Sequence, residues 1–174
     1  MPNYTAYAAM TLDGKIAREE QEFVDWTSKE DADHYQASLK KHDVIIVGNN
    51  TYQTAIENLS RRNCIVLTRR VTSPERENER LVWFNAEHDD LDAYVREQGY
   101  VGPAIIGGSK VYAALFGLID HLYLTIEPLV FGSGIPLTDG RQIGTAMKLA
   151  SLKQLNEQGT LLLHYVKAEK KDIP

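Results

Sequence analysis

AIIGGSKVY, residues 104–112, runs from three apolar residues into two glycines, a serine and a lysine before an apolar pattern resumes at Val111 and Tyr112. A short apolar run that stops at bare backbone and restarts with helical spacing reads as a strand-to-helix corner. Without side chains, Gly107 and Gly108 let another group approach the chain, Ser109 can cap the helix that follows, and Lys110 supplies charge. The same residues would also serve as a packing turn, since no full G-x-G-x-x-G is present.

VIIVGNNTY, residues 44–52, has the same plan: an apolar strand, Gly48, then Asn49, Asn50 and Thr51 at a helix start. In open α/β sheets, ligands collect beyond the carboxyl ends of the strands, where helix amino termini present free N–H groups. Two such corners on one edge could hold the two phosphates of a diphosphate. IVLTRR, residues 65–70, ends another strand in Thr68, Arg69 and Arg70. Arginine binds phosphate in bidentate fashion, so this third element suggests an adenosine 2′-phosphate, the group that separates NADPH from NADH.

Outward from these corners, strand and helix alternate. YTAYAAM (4–10) is strand-like, and Asp13-Gly14 makes a turn. Residues 27–41 form a helix in which Thr27 or Ser28 caps, Glu30 and Asp31 suit the positive first turn, and Tyr35 and Leu39 lie four apart. DVIIVG (43–48) is a β-branched run typical of a strand buried on both faces. NCIVLT (63–68) and RLVWF (80–84) are strands joined by the polar loop VTSPERENE, and DDLDAYVREQ (89–98) is a helix with acidic residues first. The strand AII and the helix SKVYAALF follow, then the strand HLYLTIEPLVF (121–131). KLASLKQL and TLLLHYV close the chain as an antiparallel hairpin around Gln158-Gly159. The expectation is an α/β fold over residues 1–174 as one domain: a central, mixed, mostly parallel sheet flanked by helices, with a C-terminal antiparallel hairpin.

Composition narrows the function classes. The chain is 43% hydrophobic and 25% charged, and no apolar run reaches the ~18 residues of a membrane span. With a net charge of −5 and dispersed Lys and Arg, no general nucleic-acid surface is expected. Cys64 is the only cysteine and the amino terminus lacks a signal-peptide pattern, so a reducing cytoplasm is expected. His34, His42, His88, His121 and His164 have no metal-ligand spacing and read as structural or exposed; no metal is expected.

Taken together, YAAMTLDGKIA, VIIVGNNTY, IVLTRR, IIGGSKVY and LYLTIEPLVFGSGIPL resemble the dihydrofolate reductase superfamily, and in particular the reductase domain of the bifunctional riboflavin-biosynthesis deaminase/reductase. The resemblance implies NADPH lying across the carboxyl edge of the sheet. Ala9 and Ile16 would flank the nicotinamide, and Gly48 with Thr51 would line the cofactor cleft. Asn49 stands where dihydrofolate reductases often carry a basic residue. Leu67, Thr68, Arg69 and Arg70 would take the 2′-phosphate end. Gly107, Gly108, Ser109, Lys110 and Val111 would hold the diphosphate, with Tyr112 towards the nicotinamide.

For chemistry, the riboflavin-type reductases imply an acidic residue in the TLDGKIA loop, here Asp13 with Lys15 beside it. They also imply a glutamate in the TIEP segment, here Glu127, with Thr125 on the same strand face beside the substrate. Folate reductases place an acid on the first long helix, and Asp31 and Asp33 both fall there. Only Arg61 or Arg62 could stand in for the basic residue with which riboflavin-type reductases grip a substrate phosphate. The H-x-E and P-C-x-x-C signature of a zinc deaminase is absent. GSGIP (132–136) is expected to be a flexible turn near the pocket mouth. The expected activity is NADPH-dependent reduction of a small polar heterocycle or a carbonyl or imine compound, with a homodimer by analogy. The rivals are a nucleotide-binding module without turnover and a Rossmann-like phosphate binder.

Overall fold

A computed structural model describes residues 1–169; residues 170–174 of the expected domain lie outside it. In chain order the elements are β1 (Thr5–Thr11), β2 (Lys15–Ala17), α1 (Lys29–Leu39), β3 (Val44–Gly48), α2 (Asn49–Thr54), α3 (Ile56–Leu59), β4 (Cys64–Leu67), β5 (Glu75–Arg76), β6 (Leu81–Phe84), α4 (Leu91–Glu97), β7 (Pro103–Ile105), α5 (Ser109–Leu115), β8 (His121–Glu127), β9 (Ile135–Pro136), β10 (Met147–Gln154) and β11 (Leu161–Lys167). One nine-stranded sheet runs β10-β11-β8-β1-β7-β3-β4-β6-β5. The strands from β8 to β6 are mutually parallel, and β11, β10 and β5 add antiparallel pairs at the two ends.

The period-2 alternation of a strand explains why the central run has no polar face. Val44 and Ile46 of β3 pack into a core with Phe84, Val95, Ile105, Tyr112 and Leu115, beneath α4 and α5. Ile45 and Val47 pack into a second core with Tyr7, Leu39, Tyr52 and Val66, beneath α1 and α2. Cys64 belongs to that second core, and burial pushes its thiol up to about 12, so it behaves as a small core residue. No helix among the described residues is long and apolar enough to cross a membrane.

Three elements differ from the sequence reading. The loop 71–79 contains β5, which pairs Glu75 with Trp83 and Arg76 with Val82, a bridge too short to leave a periodic pattern. The strand from His121 stops at Glu127, because Pro128 has no N–H to continue the ladder. GSGIP is no free turn. Ile135–Pro136 form β9, which pairs with β2 in a small antiparallel sheet, and a Cβ at Gly134 would lie 2.5 Å from the Ala17 carbonyl. The α1 start follows its sequence: Ser28 is the N-cap, and its hydroxyl accepts from the Asp31 amide at 3.3 Å.

Candidate active site

The two glycine corners lie on the same rim of the sheet and touch. β3 and β7 are parallel neighbours, and the Gly48 N–H donates to the Gly107 carbonyl at 2.8 Å. Gly107 is buried with φ +96, and a Cβ on it would fall 2.7 Å from the Tyr112 ring. Tyr112 cannot yield easily, because it is 4% exposed and its hydroxyl donates to the Tyr7 carbonyl at 2.5 Å. At Gly48 a Cβ would meet Val111 at 3.0 Å. The peptide between Gly107 and Gly108 is cis.

Above these corners opens a cleft of about 1620 Å³, beyond the 300–1,000 Å³ of a pocket for one drug-sized ligand, and so roomy enough for a cofactor and a substrate side by side. Its walls bring together Ala9, Ile16, Gly48, Asn49, Thr51, Leu67, Thr68, Arg69, Arg70, Gly108, Ser109, Lys110, Val111, Tyr112 and Thr125. Gly107 lies beneath its floor. The expected capping role of Ser109 is not taken: Gly108 is the N-cap of α5 with no side-chain bond, and the buried Ser109 hydroxyl has no hydrogen-bond partner. Gly48 likewise starts α2 without a side-chain cap. A buried, orphaned hydroxyl beside two helix starts without side-chain caps fits a bound oxyanion.

At one end of the cleft, the Arg70 guanidinium sits over the Trp83 ring, 5.3 Å from its centroid, and the Arg70 amide donates to the Thr68 hydroxyl at 3.3 Å. Neither Arg69 nor Arg70 has an ion-pair partner among the described residues. Asn85 and Glu87, from the turn after β6, complete this end.

At the other end the carboxylates are rearranged relative to expectation. Asp13 does not line the cleft. Its exposed carboxylate accepts from the Thr11 hydroxyl at 2.5 Å and from the Phe131 and Gly132 amides at 3.1 and 2.7 Å. These bonds, that of Thr11 foremost, hold its pKa below the usual carboxylate range, the wrong direction for a proton donor. Asp13 is thus a tie between two loops. Lys15 is also outside the cleft lining, its amide donating to the Thr11 hydroxyl at 3.0 Å.

Glu127, expected beside the substrate, is buried and points at protein rather than at the cleft. One carboxylate oxygen accepts from the Ser28 amide and hydroxyl at 2.7 and 2.9 Å, and the other accepts from the Thr160 hydroxyl at 2.7 Å. It therefore pins the N-cap of α1 to β8 and to the turn before β11, and acts as a positioning residue.

The buried carboxylate that lines the cleft is Asp31, in the first turn of α1 and 8% exposed. Burial pushes its pKa up; the nearby Thr125 and Thr27 hydroxyls oppose that, the charge of Glu127 adds to it, and His34 opposes it. Asp33, the alternative, is exposed and paired with Lys29. His34 and Tyr35 share the Asp31 side of α1 and also line the cleft. Tyr7 and Tyr123 stack across β1 and β8, with ring centroids 5.3 Å apart, as part of the same wall. The sequence signal for this group is the i, i+3, i+4 spacing of Asp31, His34 and Tyr35, whereas in the sequence Asp31 pairs with Asp33 as a candidate acid and Tyr35 with Leu39 as a helix-face pair.

Replacing Asp13 with asparagine therefore leaves turnover within a few-fold of wild type, because a loop tie and not a proton donor is altered. A steady-state assay checks this. A rate collapse would return the acid role to Asp13.

Sheet, corners and cleft together give the chain an open cleft at the carboxyl rim of parallel strands, the place where ligands collect in open α/β sheets. The chain belongs to the dihydrofolate reductase family, whose model matches residues 4–130. It is 28% identical over 173 residues to YwjB, an uncharacterized protein of Bacillus subtilis (strain 168), covering 93% of this chain and 96% of that one. The fold is shared with a diaminohydroxyphosphoribosylaminopyrimidine deaminase/5-amino-6-(5-phosphoribosylamino)uracil reductase from Thermotoga maritima, at a TM-score of 0.71 and 17% identity over 96% of this chain and 57% of that one. It is also shared with a dihydrofolate reductase from Enterococcus faecalis complexed with NADP(H) and RAB-propyl, at a TM-score of 0.66 and 20% identity over 96% and 97% of the two chains. The likeness to both riboflavin-type and folate reductases expected from the sequence thus holds for the fold.

Proposed function

We propose that this chain is an NADPH-dependent reductase of a small planar heterocycle, pyrimidine- or pterin-like, that carries a polarised C=N or C=O bond. The observation that carries this reading is the contact between the Gly48 and Gly107 corners, with Asp31 set in the same cleft. NADPH, when bound, supplies the hydride. The chain supplies placement and the proton. Gly48 and Gly108 leave the backbone open to a diphosphate, and Ser109 and Lys110 offer a hydroxyl and a charge beside it. Thr68, Arg69 and Arg70 suit the 2′-phosphate, with Leu67 as wall. Ala9 and Ile16 line the cleft where the nicotinamide would meet the substrate.

Asp31 holds a proton more readily than an exposed carboxylate. A heterocycle seated against Tyr7, Tyr35 and Tyr123 can receive that proton or share it in a hydrogen bond. The test is NADPH oxidation followed against a panel of pyrimidine and pterin acceptors. At least one member is expected to be reduced. NADPH binding with no turnover across the panel would favour a nucleotide-binding module on the same fold.

A further inference from the structure

Residues 137–146, between β9 and β10, have no regular structure, yet Asp139 and Arg141 from this segment line the cofactor cleft. Gly140, with φ +85, folds the segment so that Arg141 grips Asp139 as a fork: Nε donates to Oδ1 at 2.9 Å and Nη2 to Oδ2 at 2.5 Å. Both side chains stay partly open to solvent, at 52% and 22% exposure. The other charge acting on Arg141 is that of Glu87, which also lines the cleft. Glu87 follows β6, and the turns after β4 and β6 are adjoined by the Thr68 N–H donating to the Phe84 carbonyl at 2.9 Å. Arg141 thus shares the cleft, and Glu87 as a neighbouring charge, with Thr68–Arg70, and is delivered by a different part of the chain.

We propose that Arg141 is a third phosphate-binding guanidinium, which exchanges the Asp139 carboxylate for the adenosine 2′-phosphate of NADPH. The proposal rests on the reading of this cleft as an NADPH site. A carboxylate offers the guanidinium fork the same paired oxygens as a phosphate, so Asp139 occupies the place that the ligand claims. An exposed ion pair of this kind is weak and readily exchanged, whereas a phosphate brings more charge. Arg141 also offsets the repulsion that Glu87 exerts on an anion at this end.

The proposal predicts opposite effects for the two partners of one ion pair. In fluorescence titrations at low salt, Arg141→Ala weakens NADPH binding by about two- to five-fold and NADH binding far less, the size expected for one partly exposed charge contact. Asp139→Asn removes the competitor and strengthens NADPH binding. If the pair merely shapes the loop, both substitutions shift affinity in the same direction, which overturns the proposal, as does an Arg141→Ala variant whose NADPH affinity is unchanged or whose NADH affinity falls equally. Urea midpoints close to wild type for both variants establish that the fold is kept. A wild type that binds NADPH with these results absent rejects Arg141 alone, whereas a wild type that binds neither nucleotide rejects the cofactor reading as well.

Discussion

Asp31→Asn lowers the rate of substrate reduction by about 10²–10⁴-fold, the range for loss of a positioned acid, and leaves NADPH affinity unchanged. The residue lines the cleft from α1, on a different element from the glycine corners and arginines that suit the phosphates. The sign of the stability change separates a catalytic role from a structural one. Burial raises the folded-state pKa of Asp31 above its unfolded value, so the folded state binds this proton more tightly than the unfolded chain does. The stabilisation tied to that proton is complete below the unfolded pKa and is lost as pH rises through the folded one. At neutral pH the ionised group costs stability, and the asparagine variant is at least as resistant to urea as wild type. Wild-type rate declines as pH rises through the raised Asp31 pKa, and the variant lacks that limb. Single-turnover rates across pH, with urea titrations at neutral pH, check both. A variant that is inactive because it unfolds more easily would assign Asp31 a structural part.

Gly107→Ala is expected to destabilise the fold by roughly 2–6 kcal/mol, which joins a left-handed backbone cost of about 1–3 kcal/mol to an overpacking cost of about 1–3 kcal/mol. The glycine has φ +96, and the added methyl would lie 2.7 Å from the ring of Tyr112, whose hydroxyl is tethered to the Tyr7 carbonyl. Gly117→Ala is the control, since nothing lies within 4 Å of its Cβ position, and it should stay within about 0.5 kcal/mol of wild type. Urea midpoints with unchanged slopes measure both. Equal stability of the two variants would show that the corner needs no bare backbone.

The corners were legible because their signal is local. A β-branched run followed by glycine and then helical spacing announces a strand-to-helix junction, and VIIVG and AIIGG both do so. The carboxylates were not, because each role depends on pairing between distant segments. Asp13-Gly14 looks the same whether its side chain faces a substrate or the amides of Phe131 and Gly132. Glu127 is buried, but only the docking of Ser28 and Thr160 turns its oxygens away from the cleft. Asp31 and Asp33 are two residues apart on a helix, and the covering of that helix by the sheet decides which is inside. The β2–β9 pair is too short to carry a pattern, and it forms only because Gly134 lets the chain pass against Ala17.

Titration of the wild-type chain and of Arg69→Ala with NADPH and NADH tests most directly whether this cleft takes NADPH by its phosphates. Tighter binding of NADPH by wild type, with that preference largely lost in Arg69→Ala and NADH affinity nearly unchanged, is the predicted result. Equal affinity of wild type for the two nucleotides, or no binding of either, would contradict it.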